Sequence, residues 1–254
     1  FPRAEAAARR ALALDTTLAD ALVPLALARW QYHGDRAGAG AAFQRALALN
    51  PSDATARQNY GQFLSLTGRF EEGLDQLERA RALDPLSPVI ATDLASAYLF
   101  DRRYEEAVTR YRAVLATEPG FPVALVFLGM AYELLGRTDA AVAAAEQALE
   151  TGGRNPLWLA GAGRAYAASG RTADARTVLA ELEAMAAERF VSPYAVALIH
   201  AALGDAAAAL ALLEQALALH DPYLIYLPVD PRLDALRGDP RFAALERGET
   251  AAPP

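Results

Sequence analysis

A glycine recurs every 34 residues along most of this 254-residue chain, and no other feature constrains the fold as strongly. The series is interrupted once, at Arg102. Three other columns with the same spacing hold small residues, mostly aromatic residues and mostly alanine. The small-residue column is Gly61, Ala95, Gly129, Gly163 and Ala197. A fixed period of this length is typical of short structural units stacked in a row rather than of one globular core. The glycines of the series are Gly34, Gly68, Gly136, Gly170 and Gly204.

Each period has the pattern of a helical hairpin. Tyr60, Phe63 and Leu64 recur at helical spacing before Gly68, and a second amphipathic run begins at Phe70. A glycine after the first helix can adopt the left-handed conformation that ends it. One hairpin cannot bury both of its faces, so the sequence predicts an all-α solenoid of stacked antiparallel helix pairs. If Arg102 is left-handed, replacing it by glycine is expected to be tolerated or mildly stabilising.

The first three full units of the repeat end in a proline, at Pro51, Pro85 and Pro119. Together with the columns, these prolines resemble the tetratricopeptide repeat. The resemblance implies a right-handed superhelical solenoid. We expect residues 1–18 to be the second helix of a truncated upstream repeat, and the chain to be a fragment of a longer protein. The apolar run after residue 223 predicts a C-terminal cap at 224–247, followed by a tail at 248–254. Six repeat units are predicted at 19–53, 54–87, 88–121, 122–155, 156–189 and 190–223.

Four stretches also resemble the C-terminal repeat region of bacterial multidomain signalling proteins. In those proteins similar arrays follow winged-helix, Ser/Thr kinase or adenylyl cyclase domains. The resemblance implies a regulatory context for this chain. The stretches are Trp30–Asn50, Arg79–Ser87, Val191–Tyr194 and Asp230–Phe242.

Composition argues against several classes of protein. All 24 basic residues are arginine, which removes lysine-based chemistry, and there is no cysteine for disulfides, thiol nucleophiles or thiolate zinc sites. The net charge of −7 disfavours nucleic acid as a partner. No uncharged stretch is long enough to span a bilayer, so we expect no membrane insertion by this chain. The compartment stays open, with the cytoplasm favoured over an extracytoplasmic location.

Side chains that could perform catalysis have structural interpretations. His33, His200 and His220 are too far apart in sequence to form a metal-binding pair at helical spacing. The acidic pairs at 71–72 and 105–106 open the second helices of their units, where carboxylates complement the helix dipole. No nucleotide-binding glycine motif or serine elbow occurs. We therefore expect no enzyme activity, no cofactor and no metal.

The resemblance implies that residues one and two turns into the first helix of each unit line a concave groove. Related proteins bind acidic C-terminal tails with Lys and Asn at places where this chain has Gln58, Gln62 and Ser96, so we expect no such clamp. The apolar centre would suit an amphipathic helix or an apolar peptide. Alternatively, Leu99, Phe100 and Leu134 pack against the next repeat. The predicted partner-binding residues are Gln58, Gln62, Ser96, Phe100, Val126, Met130, Leu134, Arg164 and Tyr194.

The sequence thus predicts a non-catalytic protein–protein interaction module that binds a peptide or helix segment in its groove. It would be the scaffold or sensor part of a larger bacterial protein. One alternative is a structural or self-assembling repeat protein, with a possible homo-oligomer. Another is the regulatory region of an enzyme whose catalytic domain lies upstream.

Overall fold

The computed structural model describes residues 2–249, and these residues form helices and turns without a β-strand. The all-α prediction is confirmed. Thirteen α-helices run from Pro2 to Ala218, and two 3₁₀-helices and a short α-helix follow. The α-helices are α1 (Pro2–Leu14), α2 (Ala19–Gln31), α3 (Arg36–Leu49), α4 (Ala54–Leu66), α5 (Phe70–Leu83), α6 (Pro88–Phe100), α7 (Tyr104–Thr117), α8 (Pro122–Leu134), α9 (Thr138–Gly152), α10 (Pro156–Ala168), α11 (Thr172–Ala186), α12 (Pro193–Ala202), α13 (Ala206–Ala218) and α14 (Pro240–Glu246). The 3₁₀-helices are η1 (Pro222–Tyr226) and η2 (Pro231–Leu236).

Side-chain caps and prolines set where several helices begin. Asp53 accepts a hydrogen bond from the backbone N–H of Ala56 at 2.9 Å, and this bond satisfies a donor that has no partner within α4. Ser192 caps α12 in the same way. Proline, whose fixed φ suits the first helical turn, opens α8 and α10.

The turn between paired helices has the same backbone conformation throughout the repeat series. All five glycines of the series have φ between 67° and 84°. Arg102, at the interruption, also adopts the left-handed conformation, with φ of 63°. Because that region costs a side-chain-bearing residue about 1 kcal/mol, glycine is the favoured residue at these turns.

The helices group into two compact units, one up to Ala97 and the other from Tyr98 onward. In the first unit, α2 packs on α3 and α4 on α5. Its core contains an aromatic cluster in which Phe63 contacts Trp30 edge-on, with ring centroids 5.3 Å apart, and Phe43 at 5.6 Å. Phe43 is fully buried. These rings bury large apolar areas where α2, α3 and α4 meet.

In the second unit, α8 packs on α9, α10 on α11 and α12 on α13, and α10 also contacts α8 and α12. Small residues lie where paired helices cross. A Cβ atom added at Gly163 would come within 2.8 Å of side-chain atoms of Val178 and Ile199, so the crossing is already filled. The small-residue column therefore permits close approach of the paired helices.

Residues 221–247, called the C-terminal segment below, pack on α12 and α13 of the second unit. The buried carboxylate of Asp221 accepts from the Ser192 hydroxyl at 2.6 Å and from the Tyr194 N–H at 3.1 Å, which fixes where the segment begins. The segment also reaches the start of the unit: Arg102 donates two hydrogen bonds to Asp234, at 2.7 and 2.9 Å. Its buried apolar side chains are Leu227, Leu233, Leu236, Phe242 and Leu245.

Candidate functional site

The predicted groove residues fall into the two units. Gln58, Gln62 and Ser96 lie in the first unit, and the other six lie in the second. The two sets differ in chemistry as well, because the first is polar and the second is mainly apolar. They are described separately as the polar cluster and the cavity.

The polar cluster is centred on Asp93 of α6, which sequence reasoning missed. The Gln58 side-chain amide donates to the Asp93 carboxylate at 2.8 Å, and that of Gln62 donates at 3.4 Å. All three side chains are half-buried. Ser96 is more buried, and its hydroxyl donates to the Thr92 carbonyl oxygen of the same helix.

Burial raises the pKa of Asp93 from its ordinary 3.8 to about 6, while the hydrogen bonds from Gln58 and Gln62 act in the opposite direction. The cause is loss of hydration around the carboxylate, which disfavours its charged form. Near neutral pH the cluster therefore carries a partly desolvated negative charge.

The cavity has a volume of about 290 Å³ and lies between α8, α10, α12 and the C-terminal segment. Fifteen residues line it, and most are apolar or aromatic. They are Val123, Val126, Phe127, Met130, Leu157, Trp158, Ala160, Gly161, Arg164, Tyr194, Ala195, Leu198, Tyr223, Tyr226 and Arg232.

Four of the predicted residues, Val126, Met130, Arg164 and Tyr194, lie in the cavity wall. All but Val126 are buried, with Met130 4% and Tyr194 2% exposed.

Phe100 and Leu134 do not line the cavity. Phe100, 2% exposed, contacts the rings of Phe127 at 6.2 Å and Tyr226 at 5.3 Å. Leu99 is fully buried, whereas Leu134 is half-buried. Leu99 and Phe100 are therefore core residues and not an open groove surface, because the C-terminal segment and neighbouring helices cover this part of the unit.

Three wall residues come from the C-terminal segment. Sequence reasoning placed Tyr223 in the last repeat and residues 224–247 in a cap, and it predicted no cavity wall from either. Tyr226 packs against Phe100 and Phe127, and Tyr223 and Arg232 complete this side of the cavity. The signal that could have indicated this role is the run of five aromatic and apolar residues at 223–227.

The two arginines in the cavity wall are already paired. Arg164 donates to the Glu133 carboxylate at 2.5 and 3.2 Å and to the Leu198 carbonyl oxygen at 2.8 Å. Arg232 donates to both carboxylate oxygens of Asp230, at 2.9 Å to Oδ1 and 2.7 Å to Oδ2. The cavity therefore offers apolar contact and few free charges.

Tyr194 links this ionic network to the helices by donating its hydroxyl to Asp230 at 2.7 Å. Burial is the main cause that raises the pKa of Tyr194, so the phenol remains a donor. Burial is the largest single cause at Asp230 and acts to raise its pKa. The Arg232 guanidinium, together with hydrogen bonds from the Tyr194 hydroxyl and the Arg232 backbone N–H, outweighs burial and holds that pKa below its ordinary range.

The candidate catalytic side chains have structural partners. His33 is 2.7 Å from the Glu5 carboxylate, and Arg69 and Arg103 pair with Glu72 and Glu106. Across residues 2–249, no three His, Asp or Glu side chains are grouped as a metal site would require.

The repeat pattern is shared with a known family. One tetratricopeptide repeat model matches residues 31–96 and 134–198, more than half of the chain, and another matches residues 92–156. The chain belongs to the tetratricopeptide repeat family. Members of this family are generally non-catalytic modules for protein–protein interaction. No curated protein sequence matches the chain.

Several solved structures share the fold, and three of them cover most of this chain. PilW, a widely conserved type IV pilus biogenesis factor, is 22% identical, with a TM-score of 0.61 over 72% of this chain and 85% of its own. Pseudomonas aeruginosa PilF is 18% identical, with a TM-score of 0.55 over 83% and 95%. A tetratricopeptide repeat protein from Parabacteroides merdae is 18% identical, with a TM-score of 0.54 over 87% and 90%. At these identities the likeness concerns the fold.

Within the described part of the chain, no helix combines the length and the apolar character needed to cross a membrane.

Proposed function

We propose that this tetratricopeptide repeat protein is a non-catalytic module that binds a protein segment by receiving one of its apolar side chains in the cavity. The observation that carries the proposal is the cavity itself, about 290 Å³ and walled mainly by apolar and aromatic side chains. Binding pockets of proteins are typically concave and apolar, with a few polar groups that orient the ligand.

The size of the cavity favours a side chain over a whole helix. A cavity of about 150 Å³ holds benzene, whereas one turn of α-helix with side chains is about 10 Å across and 5.4 Å long. The present volume therefore accommodates one or two large apolar side chains. A partner segment would place a Phe, Leu or Trp beside Trp158 and Tyr226, with the rest of the segment outside the cavity.

Binding at this place would depend mainly on burial of apolar surface. Because Arg164 and Arg232 are engaged by Glu133 and Asp230, neither is available as a free cation for a carboxylate. Affinity should accordingly change little between low and high salt, unlike binding that relies on exposed charges.

Gly161 offers a way to fill the cavity. It lies in the cavity wall on α10, where an added Cβ atom would be 3.3 Å from Val126. We would select random 12-residue peptides on the unmodified chain and measure their dissociation constants by fluorescence anisotropy. Gly161→Leu should weaken binding at least tenfold, since its side chain would occupy the space that the peptide needs.

Two matched variants separate loss of space from general disturbance. Gly161→Ala adds only the Cβ atom and should retain most of the affinity, and Gly40→Ala changes a helical glycine of the first unit. Each variant must keep the circular dichroism spectrum of the unmodified chain. Selected peptides that bind Gly161→Leu as tightly as the unmodified chain would show that the cavity is not the binding site.

We further propose that the module is the scaffold or sensor part of a larger bacterial signalling protein. The support is the sequence resemblance at Val191–Tyr194 and Asp230–Phe242, stretches in which Tyr194 and Arg232 line the cavity. Coupling to an upstream domain is tested in the full-length protein by comparing that domain's activity with and without a selected peptide. Equal activity at a peptide concentration that saturates the module would refute the sensor role.

A further inference from the structure

Among residues 2–249, the half-buried Asp93 differs from the buried acids Asp221 and Asp230 in having neither a cation nor a backbone N–H among its partners. Asp230 is paired with Arg232. Asp221 accepts from the backbone N–H groups of Tyr194 and Tyr223 at the starts of two helices. Asp93 lies in the interior of α6, where backbone N–H groups are engaged in the helix, and its described hydrogen-bond partners are two glutamine amides.

The chemistry of these partners leaves a surplus of acceptors. An ionised carboxylate accepts hydrogen bonds only, so Gln58 and Gln62 must both turn their NH₂ groups toward Asp93. The two amide oxygens, for which the described residues provide no donor, remain as further acceptors. The cluster thus combines one negative charge with two carbonyl oxygens and lacks a cation from the described part of the chain.

A ligand that complements such a group carries positive charge and several N–H donors. The guanidinium of arginine has five donors and the ammonium of lysine has three. Charge-assisted hydrogen bonds of this kind are stronger than neutral ones, and partial burial of Asp93 strengthens them further. Because all three side chains are half-buried, the cluster can be reached from solvent.

We propose that Gln58, Gln62 and Asp93 form a recognition site for a basic side chain, Arg or Lys, of a bound protein segment. Asp93 neutralises the cation, and the two glutamines orient the carboxylate and supply carbonyl oxygens. The clamp of related proteins binds an acidic group with Lys and Asn, whereas this site would bind a basic group. It lies in the first unit and does not depend on the cavity of the second.

The test uses the linkage between cation binding and ionisation of Asp93. If only the carboxylate form binds, a ligand at ten times its dissociation constant lowers the pKa of Asp93 by about one unit. We would follow Asp side-chain carboxyl ¹³C resonances of the full chain against pH, and identify Asp93 as the resonance missing in Asp93→Asn. The probes are N-acetyl-arginine amide and N-acetyl-lysine amide, titrated up to about 100 mM, at constant ionic strength.

Neutral analogues and an exposed acid provide the controls. N-acetyl-citrulline amide has nearly the shape of the arginine probe without its charge. Asp84, which is exposed in the same unit, reports any general effect of salt on carboxyl groups. We expect the arginine or lysine probe to lower the pKa of Asp93 by one unit or more relative to Asp84, and the citrulline analogue to leave it unchanged.

Three results would overturn the proposal. The first is that the pKa of Asp93 with either cationic probe equals its pKa in sodium chloride of the same ionic strength. The second is an equal shift with the citrulline analogue, which would indicate that charge is not recognised. The third is a larger shift with millimolar Mg²⁺ than with either organic cation, which would make the cluster a metal site.

Discussion

At the scale of single residues, Asp93 should make the stability of the chain depend on pH. Its pKa is raised from 3.8 to about 6 on folding, so the folded state binds the proton more tightly than the unfolded state. Stability therefore falls as pH rises through this interval and remains lower above it. Asp93→Asn removes the charge and should raise the free energy of unfolding at pH 7.5 by up to about 3 kcal/mol.

The measurement is chemical denaturation of both proteins at pH 7.5 and pH 4. The advantage of Asp93→Asn should nearly disappear at pH 4, where the carboxyl group of the folded protein is protonated. Asp84→Asn makes the same charge change at an exposed site and should have little effect at either pH. An Asp93→Asn protein less stable than the unmodified chain at pH 7.5 would show that the carboxylate is favourably paired.

Arg102 combines an unfavourable backbone conformation with a favourable side-chain contact. Its left-handed φ costs about 1 kcal/mol, and its exposed ion pair with Asp234 contributes about 0–1 kcal/mol. Arg102→Gly should therefore change stability by less than about 1 kcal/mol, because the two effects oppose each other. Arg102→Ala loses the pair while keeping the strained φ and should be the less stable variant.

A double-mutant cycle with Asp234→Ala checks this assignment by urea denaturation. Asp234→Ala should destabilise the unmodified chain more than it destabilises the Arg102→Gly variant, in which only the hydrogen bond from Arg237, at 3.1 Å, is left to lose. An equal effect in both backgrounds would mean that the ion pair contributes nothing.

Residue 102 also shows what a sequence can and cannot predict at this scale. The 34-residue register predicts a turn there, and the left-handed backbone agrees with it. Asp234, however, is 132 residues away in sequence and belongs to no repeat column, so nothing local indicates the pair. Asp93 was missed for a related reason: its environment depends on side chains of the preceding repeat.

At the scale of helices, the small-residue column determines how closely two helices of a repeat can approach. At Gly61 of α4, an added Cβ atom would lie 2.9 Å from the Gly73 carbonyl oxygen and 2.7 Å from the Leu77 side chain. The oxygen belongs to the backbone of α5 and can move only with that helix. Gly61→Ala should therefore destabilise the chain by about 1–3 kcal/mol despite alanine's higher helix propensity.

Gly40→Ala is the matched control, since a Cβ atom there would make an ordinary 3.5 Å contact with Phe63. We expect Gly40→Ala to be neutral or stabilising by up to about 1 kcal/mol. Thermal unfolding of the two variants gives the comparison. Equal melting temperatures would mean that α4 and α5 can separate at no cost.

The elements differ in how far periodicity predicts them. Within the repeats, turn glycines recur at a fixed spacing, and the helix pairs follow that spacing. The C-terminal segment has no period, and its apolar residues predict a cap on the last repeat but not its contacts with earlier helices. Its side chains contact α12 and α13 and also Phe100 and Phe127, contacts that depend on the folding of the whole second unit.

At the scale of the whole molecule, each unit has its own core, and packing in a repeat array is mainly between neighbouring helices. A cavity made in one unit should therefore lower stability chiefly in that unit. Phe43→Ala removes a fully buried ring from the first unit and should cost about 3–5 kcal/mol there. Hydrogen exchange should accelerate in α2–α5, while α12 and α13 keep most of their protection.

Leu213→Ala makes the corresponding cavity in the second unit, because Leu213 of α13 is fully buried against the C-terminal segment. It should accelerate exchange in α12, α13 and that segment and leave α2–α5 nearly unchanged. Together the two variants measure how many helices along the array exchange faster after a local loss of packing. Uniformly faster hydrogen exchange along the chain in either variant would contradict this expectation. The chain would then unfold as one cooperative body. A segment bound in the cavity would in that case stabilise the polar cluster as well.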